Sequence, residues 1–238
     1  MKKDKLKKIN PYITLLFIVV EVIVYAIFIW KDITSLDDTT AYKFFAICLC
    51  FAFSLYNILN HETDGIILSC ALFFTIISDL ITLVIDDYYV LGVSCFIIVQ
   101  SIYMLRIALY NEKPLYKTII VRVLIILAVV IGLFITESFD PLTFVSAIYF
   151  LMLIINSIES VFIRNKSFYH LIFCIGLWLF VCCDISVGLY NIPDILGVTI
   201  SYSTYDIIGT LMWAFYLPSQ VLIVLSANDE KYSPLKLK

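Results

Sequence analysis

Leu72-Phe73-Phe74-Thr75-Ile76-Ile77-Ser78-Asp79 is an apolar run that ends on an acid, and the chain contains the pattern twice. The second copy reads Leu177-Trp178-Leu179-Phe180-Val181-Cys182-Cys183-Asp184. Aligned without a gap, the two share a leucine, the aromatic that follows it, and a small residue just before the aspartate. Each lies within an apolar stretch of roughly 20 residues, the length that spans a bilayer as an α-helix. A carboxyl group in hydrocarbon is costly unless it is paired, hydrated or protonated. Asp79 and Asp184 are therefore the first functional candidates.

The rest of the chain has the same character. Its 238 residues are 62% hydrophobic with a mean hydropathy of +1.01, against about 45–50% apolar for a soluble domain. Apolar stretches cover 12–30, 44–60, 65–85, 89–109, 117–136, 142–163, 168–190 and 205–226. The loops between them leave no room for an extramembrane domain. The expected fold is all-α, a polytopic membrane bundle of about eight transmembrane helices, forming one domain over 1–238. The lysine-rich start runs into an apolar segment that reaches Trp30 without a cleavage site, so it reads as a first span rather than a removed signal.

Charge gives an orientation. With the N-terminus inside and eight spans, 14 of the 16 basic residues fall on the inner side, leaving Lys31 and Lys43 outside. The positive-inside rule then puts both the basic N-terminus (1–11) and the tail (227–238) in the cytoplasm, of a cell membrane. Arg106 and Arg122, slightly within their spans, are expected to snorkel to the interface, and Glu159 to reach it. The outer loops carry Asp32, Asp37, Asp38, Asp86, Asp87, Glu137, Asp140 and Asp194. The basic residues are membrane flanks, and no nucleic-acid partner is implied.

The two acids stand on spans three and seven, four helices apart, so both spans run in the same direction and the halves read as two parallel four-helix repeats. By helical rise each acid lies roughly 10 Å below the outer boundary. Helical spacing extends the acids into polar stripes. Thr75, Asp79, Thr82 and Asp86 share a face of span three; Gly92, Phe96, Gln100 and Tyr103 share one on span four. Asp206, Thr210, Trp213, Tyr216 and Gln220 do so on span eight, with a kink expected at Pro218. In lipid such faces turn inward, which predicts an internal pocket lined by Phe96, Gln100, Tyr103, Trp213, Tyr216 and Gln220, with the acids in its outer part. Glu21, in the middle of the first span, has no counterpart in the second half.

Several chemistries have no residues to carry them. The two histidines, His61 and His170, cannot make a three-histidine zinc site, and the seven cysteines, all within spans, read as packing residues. There is no G-x-S-x-G elbow, no phosphate-cradling glycine loop and no lysine deep in a span. No metal or cofactor is expected. Carboxylate chemistry remains.

These motifs resemble the YhhN/lysoplasmalogenase family of eight-span membrane proteins. The segments that carry the resemblance are Phe74 to Leu80 with Gly92, Phe96, Gln100 and Tyr103 after it, and Gly176 to Asp184 with Tyr216-Leu217-Pro218-Ser219-Gln220-Val221-Leu222 on the last span. The family often has a histidine where Gln100 stands and a serine where Cys183 stands. The resemblance implies hydrolysis of the vinyl ether bond of lysoplasmalogen, a lysophospholipid, to a fatty aldehyde and a glycerophospho-alcohol, with Asp79 and Asp184 as the catalytic pair. The residues alone also suit a proton-coupled or small-molecule transporter, or a lipid-binding sensory protein without catalysis. Each would contact membrane lipids.

Overall fold

The structure is a computed structural model that describes residues 10–34, 38–59, 62–111, 115–135, 140–163, 167–196, 199 and 201–227. Every regular element among them is helical. In order these are α1 (Pro11–Thr34), α2 (Thr40–Ile58), α3 (Glu62–Asp79) with a π-helical turn over Leu80–Ile85, α4 (Tyr89–Tyr110), α5 (Leu115–Ile135), α6 (Pro141–Val161), α7 (Phe168–Leu196) and α8 (Tyr202–Leu225). Seven are long and apolar enough to cross a membrane, and α5 adds the apolar stretch Thr118–Gly132. The all-α polytopic bundle expected from the hydropathy is what the chain forms. Lys113, Arg164, Lys166 and the basic residues of both termini lie outside the described residues, as do Asp37, His61 and Glu137.

Neighbour follows neighbour around a closed ring: α1, α2, α3, α4, α6, α7, α8 and back to α1. A further contact between α2 and α8 pinches the ring, leaving α1 outside the pinch. α5 packs against the outer side of α6 and only lightly on α4. The acid-bearing helices α3 and α7 thus face one another across the interior. Contacts between the halves come in counterpart pairs, α4 to α6 with α8 to α2, and α4 to α5 with α8 to α1, as a parallel repeat requires.

Close helix approach depends on small residues, as it does when lipid removes the hydrophobic drive for association. A Cβ on Gly176 would come within 2.9 Å of Ile223 Cγ1 and 3.1 Å of the Ser219 carbonyl oxygen, so only glycine lets α7 lie this near α8. A Cβ on Gly92 would come within 2.3 Å of Thr82 Cγ2. Ser78 uses that closeness, donating its hydroxyl to the Gly92 carbonyl at 2.7 Å.

Backbone carbonyls in lipid need partners, and Pro218 withdraws the N–H that Ala214 would otherwise receive. α8 nonetheless continues through Pro218. The Tyr25 hydroxyl of α1 donates to the Ala214 carbonyl at 3.2 Å. Asn57 of α2 donates in the same way to the Val224 carbonyl at 3.0 Å.

The arginines depart from expectation. Neither snorkels: Arg106 and Arg122 are 2% and 3% exposed. Arg106 meets Asp64, in the first turn of α3, through Nε at 2.7 Å and Nη2 at 2.8 Å. It also donates to the Ser226 hydroxyl and carbonyl, at 2.9 and 2.8 Å, and lies over the rings of Phe173 and Tyr110. Arg122 pairs with Glu159 at 2.7 Å, tying α5 to α6. Arg106, met by a carboxylate fork inside the bundle, has no need to reach for the interface; Arg122 makes a single bond to Glu159, with its Nε and Nη1 buried and unbonded.

Candidate functional site

The octets place their residues alike. Leu72 and Leu177 are fully buried, Phe73 and Trp178 face outward, and Ser78 and Cys183 are buried, Ser78 at its close contact with Gly92. A 3.6-residue period then carries Asp79 and Asp184 inward. Asp79 is the last α-helical residue of α3, immediately before the π-helical turn. Such wide turns are common at functional sites. Here Thr82 bends back to donate its hydroxyl to the Ser78 carbonyl at 3.0 Å.

The two acids are held differently. Tyr216 of α8 reaches across the interior and donates its hydroxyl to both Asp79 oxygens, at 2.9 and 2.8 Å. Asp184 has Tyr149 of α6 beside it, close enough to interact electrostatically. Their contact is a loose one, near enough to act as a weak hydrogen bond, while Asp184 Oδ2 and the Tyr149 hydroxyl are both buried without a well-aligned hydrogen bond. The Phe180 ring joins the two tyrosines, 5.5 Å from the Tyr216 ring and 6.4 Å from the Tyr149 ring. Phe96 closes the layer, 5.4 Å from Tyr149 and 5.8 Å from Phe180.

One helical turn further from the acids is a layer of amides. Asn156 of α6 donates to both the backbone and the side-chain oxygen of Gln100, at 2.9 and 2.8 Å. Gln100 Nε2, Asn156 Oδ1 and Gln220 Oε1 are buried without a hydrogen bond. On the opposite side of the acid layer, Trp213 stands edge-on to Tyr216 at 5.2 Å.

Residues 38–227 match the YhhN family. The chain belongs to that family, the lysoplasmalogenase family of membrane proteins. Comparison with curated proteins and with solved structures found no match.

Within this YhhN chain most residues singled out from the sequence converge. Asp79, Asp184, Phe96 and Tyr216 form the acid layer, Gln100 and Gln220 the amide layer beneath, and Trp213 caps the other side. Tyr103 is fully buried but stands deeper, its ring against Phe173 at 5.6 Å. The span-three stripe is shorter than its spacing suggested. Asp86 lies beyond the π-helical turn, in a left-handed conformation with φ 57°, exposed and accepting from the Tyr89 hydroxyl. A wide turn breaks the 3.6-residue register, so Asp86 leaves the inward face.

Three contributors were not legible as such. Tyr149 and Asn156 are seven residues apart on α6, a spacing that puts them on one face. That pattern was available in the sequence but lacks an acid to draw attention to it. Phe180, inside the second octet, reads as ordinary packing. Glu21 is buried, with the Cys50 thiol donating to its Oε1 at 3.4 Å. All seven cysteines are free. Among the described residues no three histidine, cysteine or acidic side chains converge as a metal site would require.

Proposed function

We propose that this YhhN protein hydrolyses the vinyl ether bond of a lysoplasmalogen, using Asp184 as the acid and Asp79 as the carboxylate. The observation that carries the division of labour is the unequal bonding of the pair. Asp79 accepts from Tyr216 on both oxygens, an arrangement suited to a fixed negative charge. Asp184 has only the loose contact with Tyr149, and its buried Oδ2 has no well-aligned hydrogen bond, which leaves it free to hold a proton and deliver it.

The chemistry follows from those two states. Asp184 protonates the β-carbon of the enol ether, and the electron pair of the double bond forms the new C–H bond. The resulting oxocarbenium ion is stabilised by the negative charge on Asp79. Water adds to the cation and passes a proton to Asp79, giving a hemiacetal. Transfer of the hemiacetal hydroxyl proton to the ether oxygen, assisted by the pair, breaks the C–O bond. Aldehyde and glycerophospho-alcohol leave, and the proton on Asp79 returns by solvent to Asp184. The aromatic layer of Phe96, Phe180, Tyr149 and Tyr216 suits an apolar alkenyl chain. The unbonded amide and hydroxyl groups suit a polar ligand, because a buried polar atom without a partner costs about 1–3 kcal/mol.

The test is aldehyde release from a vinyl ether lysophospholipid by purified protein, with the saturated ether analogue as the control. Release that is lost in both Asp79→Asn and Asp184→Asn supports the reading. Release that persists in either variant, or none from folded wild-type protein, overturns it.

A further inference from the structure

One end of the bundle, where α1 meets α2, α3 meets α4, and α7 meets α8, is poor in cations. Connectivity gives that end Lys31 and Lys43 and no other lysine or arginine, amid Asp32, Asp38, Asp86, Asp87 and Asp140. Lys31 lies over the Tyr42 ring, 5.0 Å from its centroid. Lys43 is connected to the acids. Its ammonium lies 5.2 Å from the Trp213 ring centroid and 5.9 Å from that of Phe28. Trp213 abuts Tyr216 at 5.2 Å, and Tyr216 is bonded to Asp79.

The Lys43 ammonium is held by an exchangeable partner. Asp32 meets it at 2.9 Å, and both side chains are largely buried, at 12% and 14% exposure. Asp32 is itself anchored, accepting from the Thr39 hydroxyl at 2.6 Å. The two rings hold a cation whether or not a carboxylate is present. Lysine offers a compact charge with three rotatable donors, the form in which it commonly serves phosphate.

We propose that Lys43, seated on Trp213 and Phe28, binds the phosphate of a lysophospholipid headgroup, with Asp32 as the internal anion that the phosphate displaces. This rests on the lysoplasmalogen reading and adds to it a residue that selects phosphorylated over phosphate-free substrates. In such a lipid only the glycerol separates the ether oxygen from the phosphate ester oxygen. The successive contacts Asp79–Tyr216–Trp213–Lys43 mark the direction in which the phosphate of a substrate held at the acids would lie.

The experiment measures binding first, so that it does not depend on hydrolysis. Full-chain protein in detergent is titrated with a saturated 1-alkyl lysophospholipid, with the phosphate-free 1-alkylglycerol, and with inorganic phosphate. Wild-type protein is expected to prefer the phospholipid, and Lys43→Met to lose about tenfold in its affinity while binding the alkylglycerol unchanged. Asp32→Asn, which removes the competing anion, is expected to bind the phospholipid more tightly, a gain that misfolding cannot imitate. A phosphate preference that survives Lys43→Met, or Asp32→Asn binding no tighter than wild type, overturns the proposal. Inorganic phosphate binding as tightly as the lipid, and requiring Lys43, assigns the site to a free anion and overturns the headgroup assignment. If the binding pattern holds but no aldehyde is released, the hydrolase reading fails and the headgroup site stands. If aldehyde is released and Lys43→Met leaves KM for the vinyl ether lysophospholipid unchanged, the headgroup site fails alone.

Discussion

The hydroxyl of Tyr25 donates to the carbonyl of Ala214, the group that Pro218 deprives of its helical partner. A side chain of the first helix thereby completes the backbone of the last. Tyr25→Phe removes the donor and leaves the carbonyl unbonded beside α1. The expected cost is about 1–3 kcal/mol, read as a lowered thermal midpoint in detergent. Pro218→Ala in the same background is expected to recover most of it, since it restores the helical N–H.

Tyr216→Phe separates bonding from packing in the acid layer. The ring contacts with Phe180 and Trp213 persist, while Asp79 loses its donor on both oxygens. If Asp79 must be a carboxylate, the rate of aldehyde release falls by about tenfold or more, with KM for the vinyl ether substrate little changed. Steady-state kinetics on folded protein reads the split. Tyr149→Phe removes a hydroxyl that touches Asp184 only loosely, and is expected to have the smaller effect.

Removing Arg106 alone takes from the Asp64 carboxylate its cation, and removing Asp64 alone takes from a nearly inaccessible guanidinium its carboxylate. Each single replacement, Arg106→Met or Asp64→Leu, is expected to cost about 3–5 kcal/mol. The double replacement should cost much less than the two combined. Thermal unfolding of the four proteins closes the cycle.

Gly176 and Gly188 lie on the same helix in opposite circumstances. Alanine at 176 meets Ile223 and the Ser219 carbonyl, whereas a Cβ at 188 meets nothing within 4 Å. Gly176→Ala is expected to destabilise by about 1–3 kcal/mol, and Gly188→Ala to be neutral or to stabilise slightly through its better helix propensity. Thermal midpoints of the two variants compare them directly.

Asp140 caps α6, accepting from the Leu142 and Thr143 backbone N–H groups, each at 3.0 Å. The Thr143 hydroxyl and N–H, with that of Leu142, hold its carboxyl below the usual aspartate range. A lowered pKa in the folded state means the cap stabilises above the unfolded value and is lost as pH falls through the folded one. Hydrogen exchange at Leu142 and Thr143 should therefore quicken relative to mid-α6 amides in acid. Asp140→Asn, which cannot titrate, should remove that pH dependence.

The fold was readable because its main signal is local. A run of apolar residues with the length of a bilayer reports a helix whatever its neighbours are, and the matched burial of Leu72 with Leu177 and Ser78 with Cys183 was implicit in the octets. Faces were readable for the same reason: Phe96, Gln100, Tyr216 and Gln220 turn inward as their spacing requires. Partners were less so. Periodicity says that Asp79 points inward but not that Tyr216, 137 residues away, will reach it. The fates of Arg106 and Arg122 depended on acids contributed by other helices, and the π-helical turn on how closely Gly92 lets two helices approach.

The cluster around Arg106 also gives the molecule a floor. At the end remote from Lys43, one guanidinium ties α3 to α8 and lies against rings from α4 and α7, so four helices are stitched together there. A carrier that exposes its interior alternately to the two sides would have to open this stitch in every cycle. A hydrolase never has to. Its substrate and both products can use one doorway, the alkyl chain passing sideways between helices and the headgroup lifting off toward the Lys43 end. On the hydrolase reading, the protein would work as a well rather than as a channel.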